Sequence, residues 1–132
     1  MIPSALLILI ASVVTLHYGG LYFGWYTLWW LDIPLHLLGG AFIGVLFLYI
    51  FRERFLVLRE LSFFPLLVLG VGFVTWIGVL WEFYEFFADV FVLHTYRPLA
   101  YPGYVHFDTL LDLLNDMAGG TIAILLLWNA KR

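Results

Sequence analysis

Four apolar runs, roughly Ile2–Tyr18, Leu28–Phe51, Phe63–Ala88 and Thr109–Trp128, restrict what this chain can fold into more than any other feature. A helix that crosses a bilayer needs about 20 apolar residues, with a usual range of about 17 to 25. Each run is continuous rather than alternating, so helices, and not barrel strands, satisfy the backbone inside lipid. Composition agrees. Of the 132 residues, 64% are hydrophobic and 11% charged, against roughly half apolar and a quarter charged in a soluble domain. Mean hydropathy is +1.02. The expected fold is all-α: one four-transmembrane-helix bundle over residues 1–132, with helices over about 2–18, 28–51, 63–88 and 109–128. The first run reads as a membrane helix rather than a signal peptide, because no basic stretch precedes it and no small-x-small cleavage site follows.

Four spans put the N-terminus, the 52–62 connection and the C-terminus on one side. That side carries Arg52, Arg54, Arg59, Lys131 and Arg132, five of the six basic residues, and leaves only Arg97 opposite. By the positive-inside rule both termini are cytoplasmic, and the expected location is the plasma (inner) membrane of a bacterium or archaeon. Trp25, Tyr26, Trp29, Trp30, Trp81, Tyr96, Tyr101 and Tyr104 then gather near the outer interface, where amphipathic rings are favoured. The absence of cysteine excludes disulfides, thiolate metal ligands and cysteine nucleophiles. No basic tract points to nucleic acid. Membrane lipid is the expected partner, and a homo-oligomer is compatible with the sequence.

The acids are placed in a way composition does not require. Glu53 and Glu60 lie among the arginines as surface charge. The other seven, Asp32, Glu82, Glu85, Asp89, Asp108, Asp112 and Asp116, all fall in the outer half, as do His17, His36, His94 and His106. At a rise of about 1.5 Å per residue, His36 and Asp116 lie roughly 12 Å inside the outer ends of their helices and Glu82 roughly 9 Å. Asp32, Glu85 and Asp112 form a shallower tier, and Asp89, His94, His106 and Asp108 ring the mouth. Spacings of three and four place Asp32 with His36, Glu82 with Glu85 and Asp89, and Asp108 with Asp112 and Asp116 on single helix faces. Such stripes converge inside a bundle, because exposing them to lipid is costly. Gly39, Gly40, Gly44, Gly119 and Gly120 would let the backbones approach just below.

So many carboxylates, with one arginine and four histidines, do not all stay charged in a low-dielectric pocket without a counter-ion. A metal ion could neutralise them, or they could share protons as in a relay or transporter. A third reading is a polar network that only fastens the helices, although serine, threonine and asparagine do that at lower cost. Oxygen and imidazole ligands suit a divalent metal: Mg²⁺, Mn²⁺, Zn²⁺ or iron. On the metal reading, Asp32, His36, Glu82, Asp112 and Asp116 hold the ion and Glu85 is the base. Asp89, Asp108, His106, Asn115 and Arg97 are secondary, Arg97 pairing an acid or meeting an anionic substrate at the mouth. Residues 89–108 would form a lid. The expected function is a metal-dependent hydrolase or transferase acting on a lipid or lipid-linked substrate from the outer leaflet. The alternatives are proton- or ion-coupled transport and a non-catalytic structural subunit. The inner halves of the last three helices offer almost no ionisable residue, which favours a closed site over a path.

The stretches LDIPLHLLGG (31–40), WEFYEFFAD (81–89) and FDTLLDLLNDMAGG (107–120) resemble the motifs of the YjdF-like inner-membrane proteins. The last is also similar to the terminal helix of VanZ-like proteins. The resemblance covers roughly helices 2 to 4. It implies that Asp32, His36, Glu82, Glu85, Asp108, Asp112 and Asp116 form the site, and it implies no settled activity. The Asp-x-x-x-Asp-x-x-x-Asp run at 108–116 is similar to that of CDP-alcohol phosphotransferases, but their neighbouring Gly and Ala-Arg elements are missing. The paired Glu-x-x-His of ferritin-like di-iron bundles does not occur.

Overall fold

A computed structural model of the chain describes residues 2–25, 28, 30–93 and 104–129, the side chains of 104–106 and 129 excepted. Within these, the regular structure is entirely helical: α1 (Ile2–Phe23), α2 (Asp32–Phe47), α3 (Phe63–Phe87) and α4 (Tyr104–Asn129). Two π-helical segments prolong them, Leu48–Arg54 after α2 and Ala88–Leu93 after α3. Four stretches are long and apolar enough to cross a membrane: Ile2–Phe23, Asp32–Arg54, Phe63–Val92 and Phe107–Trp128. The chain is thus an integral membrane protein with four candidate spans.

Local chemistry sets the ends. Pro3, Pro34 and Pro65 each fall in a first helical turn, where a missing N–H costs nothing and the fixed φ suits the helix. Asp32 opens α2, favourably placed against the helix dipole. Gly24 follows α1 with φ +71°, the left-handed residue that commonly stops a helix.

Helix ends on all four elements differ from the sequence expectation. α2 begins at Asp32 rather than Leu28 and is prolonged by its π-helical segment to Arg54 rather than Phe51. α1 continues past Tyr18 to Phe23, because glycine is tolerated in membrane helices and Gly19-Gly20 does not break it. α3 and its π-helical extension run to Leu93, and α4 begins at Tyr104. Residues 89–93 and 104–108 are therefore helical rather than loop, and 94–103 lie outside the described residues. Most of the aromatic belt named above lies there too or on undescribed side chains: Tyr26, Trp29, Tyr96, Tyr101 and Tyr104.

Glycines set how the last three helices meet. A Cβ on Gly40 would collide with the Asp116 main chain, one on Gly119 with the Leu37 carbonyl, and one on Gly44 would lie 2.9 Å from the Gly120 carbonyl oxygen. The contact moves from Asp116 to Gly120 on α4 as it moves from Gly40 to Gly44 on α2, so α2 and α4 run parallel at backbone contact. The α3 contacts run the other way: Gly70 meets Ile124, Gly120 meets Val74, and Gly78 meets Asp116. α3 is therefore antiparallel to α4. The Gly40–Gly44 repeat is a small-xxx-small interface of the kind that lets membrane helices touch. At the end of the bundle holding the 52–62 connection, Ile2, Val45, Phe47, Leu48, Leu66, Ala123 and Ile124 form a buried apolar cluster. The rings of Phe47, Phe51 and Phe73 pack against one another with centroids 5.3–5.8 Å apart.

Candidate metal centre

The imidazole of His36, on the second turn of α2, is 5% exposed and faces carboxylates from both ring nitrogens. Nε2 lies 3.7 Å from Asp32 Oδ1 and 3.8 Å from Asp112 Oδ1. Nδ1 lies 3.3 Å from Asp116 Oδ1. Asp32 is reached along α2 by its i,i+4 spacing, whereas Asp112 and Asp116 reach across from α4. Asp112 and Asp116 are buried with His36, and the Asp32 side chain is 44% exposed at the open end.

Two overlapping sets could hold a cation. Asp32, His36 and Asp112 each offer one ligand atom within 4.8 Å of the others, and so do His36, Glu82 and Glu85. Glu82 is oriented by Thr109, whose hydroxyl donates to Glu82 Oε2 at 2.9 Å. Glu82 Oε1 is buried without a hydrogen-bond partner, an orphan acceptor of the kind that a ligand usually satisfies.

The Asp116 carboxylate sits in a slot that glycines leave open. A Cβ on Gly78 would lie 2.7 Å from Asp116 Oδ2, and one on Gly39 3.9 Å from Oδ1. A methyl group on α3 at Gly78 would push the carboxylate off its place beside the imidazole.

Three helices thus bring Asp32, His36, Glu82, Glu85, Asp112 and Asp116 together. The two expected depth tiers are merged: Asp32, Asp112 and Glu85 all reach the imidazole level. Side chains lean toward the N-terminus of their own helix. On antiparallel α3 that lean carries Glu85 inward toward His36. Asp108 is exposed at the mouth and Asp89 is half-buried in the π-helical extension. Asn115 is not drawn to His36: its Nδ2 is buried with no hydrogen-bond partner. The side chain of His106, together with His94 and Arg97, lies outside the described residues, and His17 is exposed on α1. Thr109 and Gly78 were missed by sequence reasoning. Gly78 lies four residues before Glu82, so helical spacing alone could have placed it on the acidic face of α3.

No curated protein and no solved structure matches this chain. The family model described as predicted membrane protein (DUF2238) matches residues 1–132, and the chain belongs to that family.

Proposed function

We propose that this member of the DUF2238 family is a small metal-dependent membrane enzyme, performing hydrolysis or group transfer on a lipid or lipid-linked phosphate or ester. What carries the reading is the double carboxylate flank of His36. Asp116 on Nδ1 fixes the orientation of the ring, as carboxylates behind metal-ligating histidines do. That leaves Nε2 for an ion shared with Asp32 and Asp112. In tetrahedral coordination with bonds of about 2.1 Å, ligand atoms stand about 3.4 Å apart, against 3.7 and 3.8 Å from His36 Nε2 to Asp32 and Asp112. Of the five ligands expected from the sequence, Asp116 fits better as the residue that orients His36. Glu82, with its orphan Oε1, lies within reach of His36 in the second set and would supply the ligand from α3. One nitrogen with several oxygens suits Zn²⁺, Mn²⁺ or Fe²⁺ better than the all-oxygen preference of Ca²⁺ and Mg²⁺.

A divalent ion held there would supply Lewis-acid polarisation of a phosphoryl or carbonyl oxygen. Glu85 would take the proton from the attacking water, the role of a positioned general base. Asp32 and Asp108, nearest solvent, would meet the substrate first. The charge asymmetry supports a mouth on the extracytoplasmic side. The apolar cluster below the site supports a closed chamber over a transport path, since His36, Asp112 and Asp116 are the only buried polar side chains among the described residues. The resemblance to YjdF-like and VanZ-like proteins fits a membrane role and adds no chemistry.

The test is turnover in proteoliposomes supplied with Zn²⁺ or Mn²⁺, following release of phosphate or fatty acid from a labelled bacterial lipid mixture. Glu85→Gln should keep its metal and lose about 100-fold or more in rate, and His36→Ala should lose both. No release by metal-loaded wild type, or equal release by Glu85→Gln, would overturn the assignment.

A further inference from the structure

The turn between α2 and α3 spends conformational strain to point apolar residues away from the bundle. After the π-helical segment closes with Phe55 N–H donating to the Ile50 carbonyl, Leu56 takes φ +58°, the one positive φ at a non-glycine residue among the described residues. Glycine is the usual occupant of such a position, and strain of this kind persists where the displayed geometry has a use. The chain then folds back, with Leu58 N–H donating to the Phe51 carbonyl at 3.1 Å. Leu58 and Leu61 pack on the apolar cluster. Phe55, Leu56 and Val57 point out, 66%, 52% and 71% exposed.

We infer that this turn is a docking site for anionic phospholipid at the membrane interface. Arg54 and Arg59 bracket the triplet, both are exposed, and neither has an ion-pair partner among the described residues. Arg52 is engaged elsewhere, its guanidinium 4.4 Å from the ring centroid of Trp128, and Trp128 in turn packs against Phe63 at 5.3 Å. The two remaining arginines flank an apolar wedge at the boundary of two spans. That is the pairing of insertion and phosphate contact an anionic headgroup takes. Glu53 and Glu60 share the turn, so its three arginines leave a small positive excess. The inference does not depend on the metal centre.

Native mass spectrometry of the detergent-purified full chain, delipidated and then offered equal phosphatidylglycerol and phosphatidylcholine, reads this out. Wild type should retain phosphatidylglycerol preferentially. The Arg54→Gln/Arg59→Gln variant should lose about fivefold of that preference for each arginine removed, and Arg54→Lys/Arg59→Lys should restore most of it. Equal retention of the two lipids by wild type would overturn the inference and assign the wedge to a protein partner or second copy. An undiminished preference in a folded double-glutamine variant would overturn it too.

Discussion

His36 is a residue whose surroundings decide what it can be. A buried imidazole between three carboxylates from two helices gains nothing from being apolar core, and each carboxylate buried beside it needs a cation, a proton or a donor. Thr109 meets that need for one oxygen of Glu82 and leaves the other open. Thr109→Val should therefore weaken metal binding by about tenfold, within the range for partners one shell behind a ligand. Thr109→Ser, which keeps the hydroxyl, should bind as wild type does; isothermal titration with Zn²⁺ separates the two. Asp116→Asn tests the flank itself. It should leave the bundle folded and lower metal affinity by about 10- to 100-fold, because the amide cannot sustain the negative partner of Nδ1.

The elements show which parts of the sequence could be read directly and which could not. Apolar length and helical spacing were enough for four helices and for the acidic faces of α2, α3 and α4, because burial in lipid admits few other solutions. Helix ends were not legible, since Asp89 reads as an exit from the membrane although the chain beyond it stays helical to Leu93. The Phe63–Val92 span has 30 residues, about 45 Å at the helical rise, against a hydrocarbon thickness of about 30 Å. It must tilt or project, and nothing local in the sequence marks where lipid ends. The merging of the two acid tiers was equally hidden, because it depends on the register and direction of neighbouring helices. Glycine contacts set that register. Gly40→Ala and Gly119→Ala should each destabilise the detergent-solubilised protein by about 1–3 kcal/mol, the usual cost of overpacking. Gly72→Ala, where a Cβ would meet nothing within 4 Å, should be neutral or stabilise by up to about 1 kcal/mol. Thermal unfolding curves of the three variants make the comparison.

For the whole molecule, the arrangement is asymmetric along the bundle. One end holds a histidine and acids, and the other holds apolar side chains capped by arginines. On the proposed function this asymmetry makes the site a chamber closed from below and reached from one face of the membrane. Because the chain has no cysteine, Asp108→Cys and Arg59→Cys each introduce a unique label site. An impermeant maleimide should label Asp108→Cys on intact cells and Arg59→Cys only after permeabilisation. The opposite pattern would invert the bundle in the membrane and place the mouth toward the cytosol.

On the proposed function, one imidazole gripped by acids from two helices organises a metal ion inside the bundle. Elemental analysis of the detergent-purified protein should find close to one divalent metal ion per chain in wild type, none in a folded His36→Ala variant and a reduced amount in Asp116→Asn. A well-folded wild type that stays metal-free after incubation with Zn²⁺, Mn²⁺ and Fe²⁺ would contradict that reading.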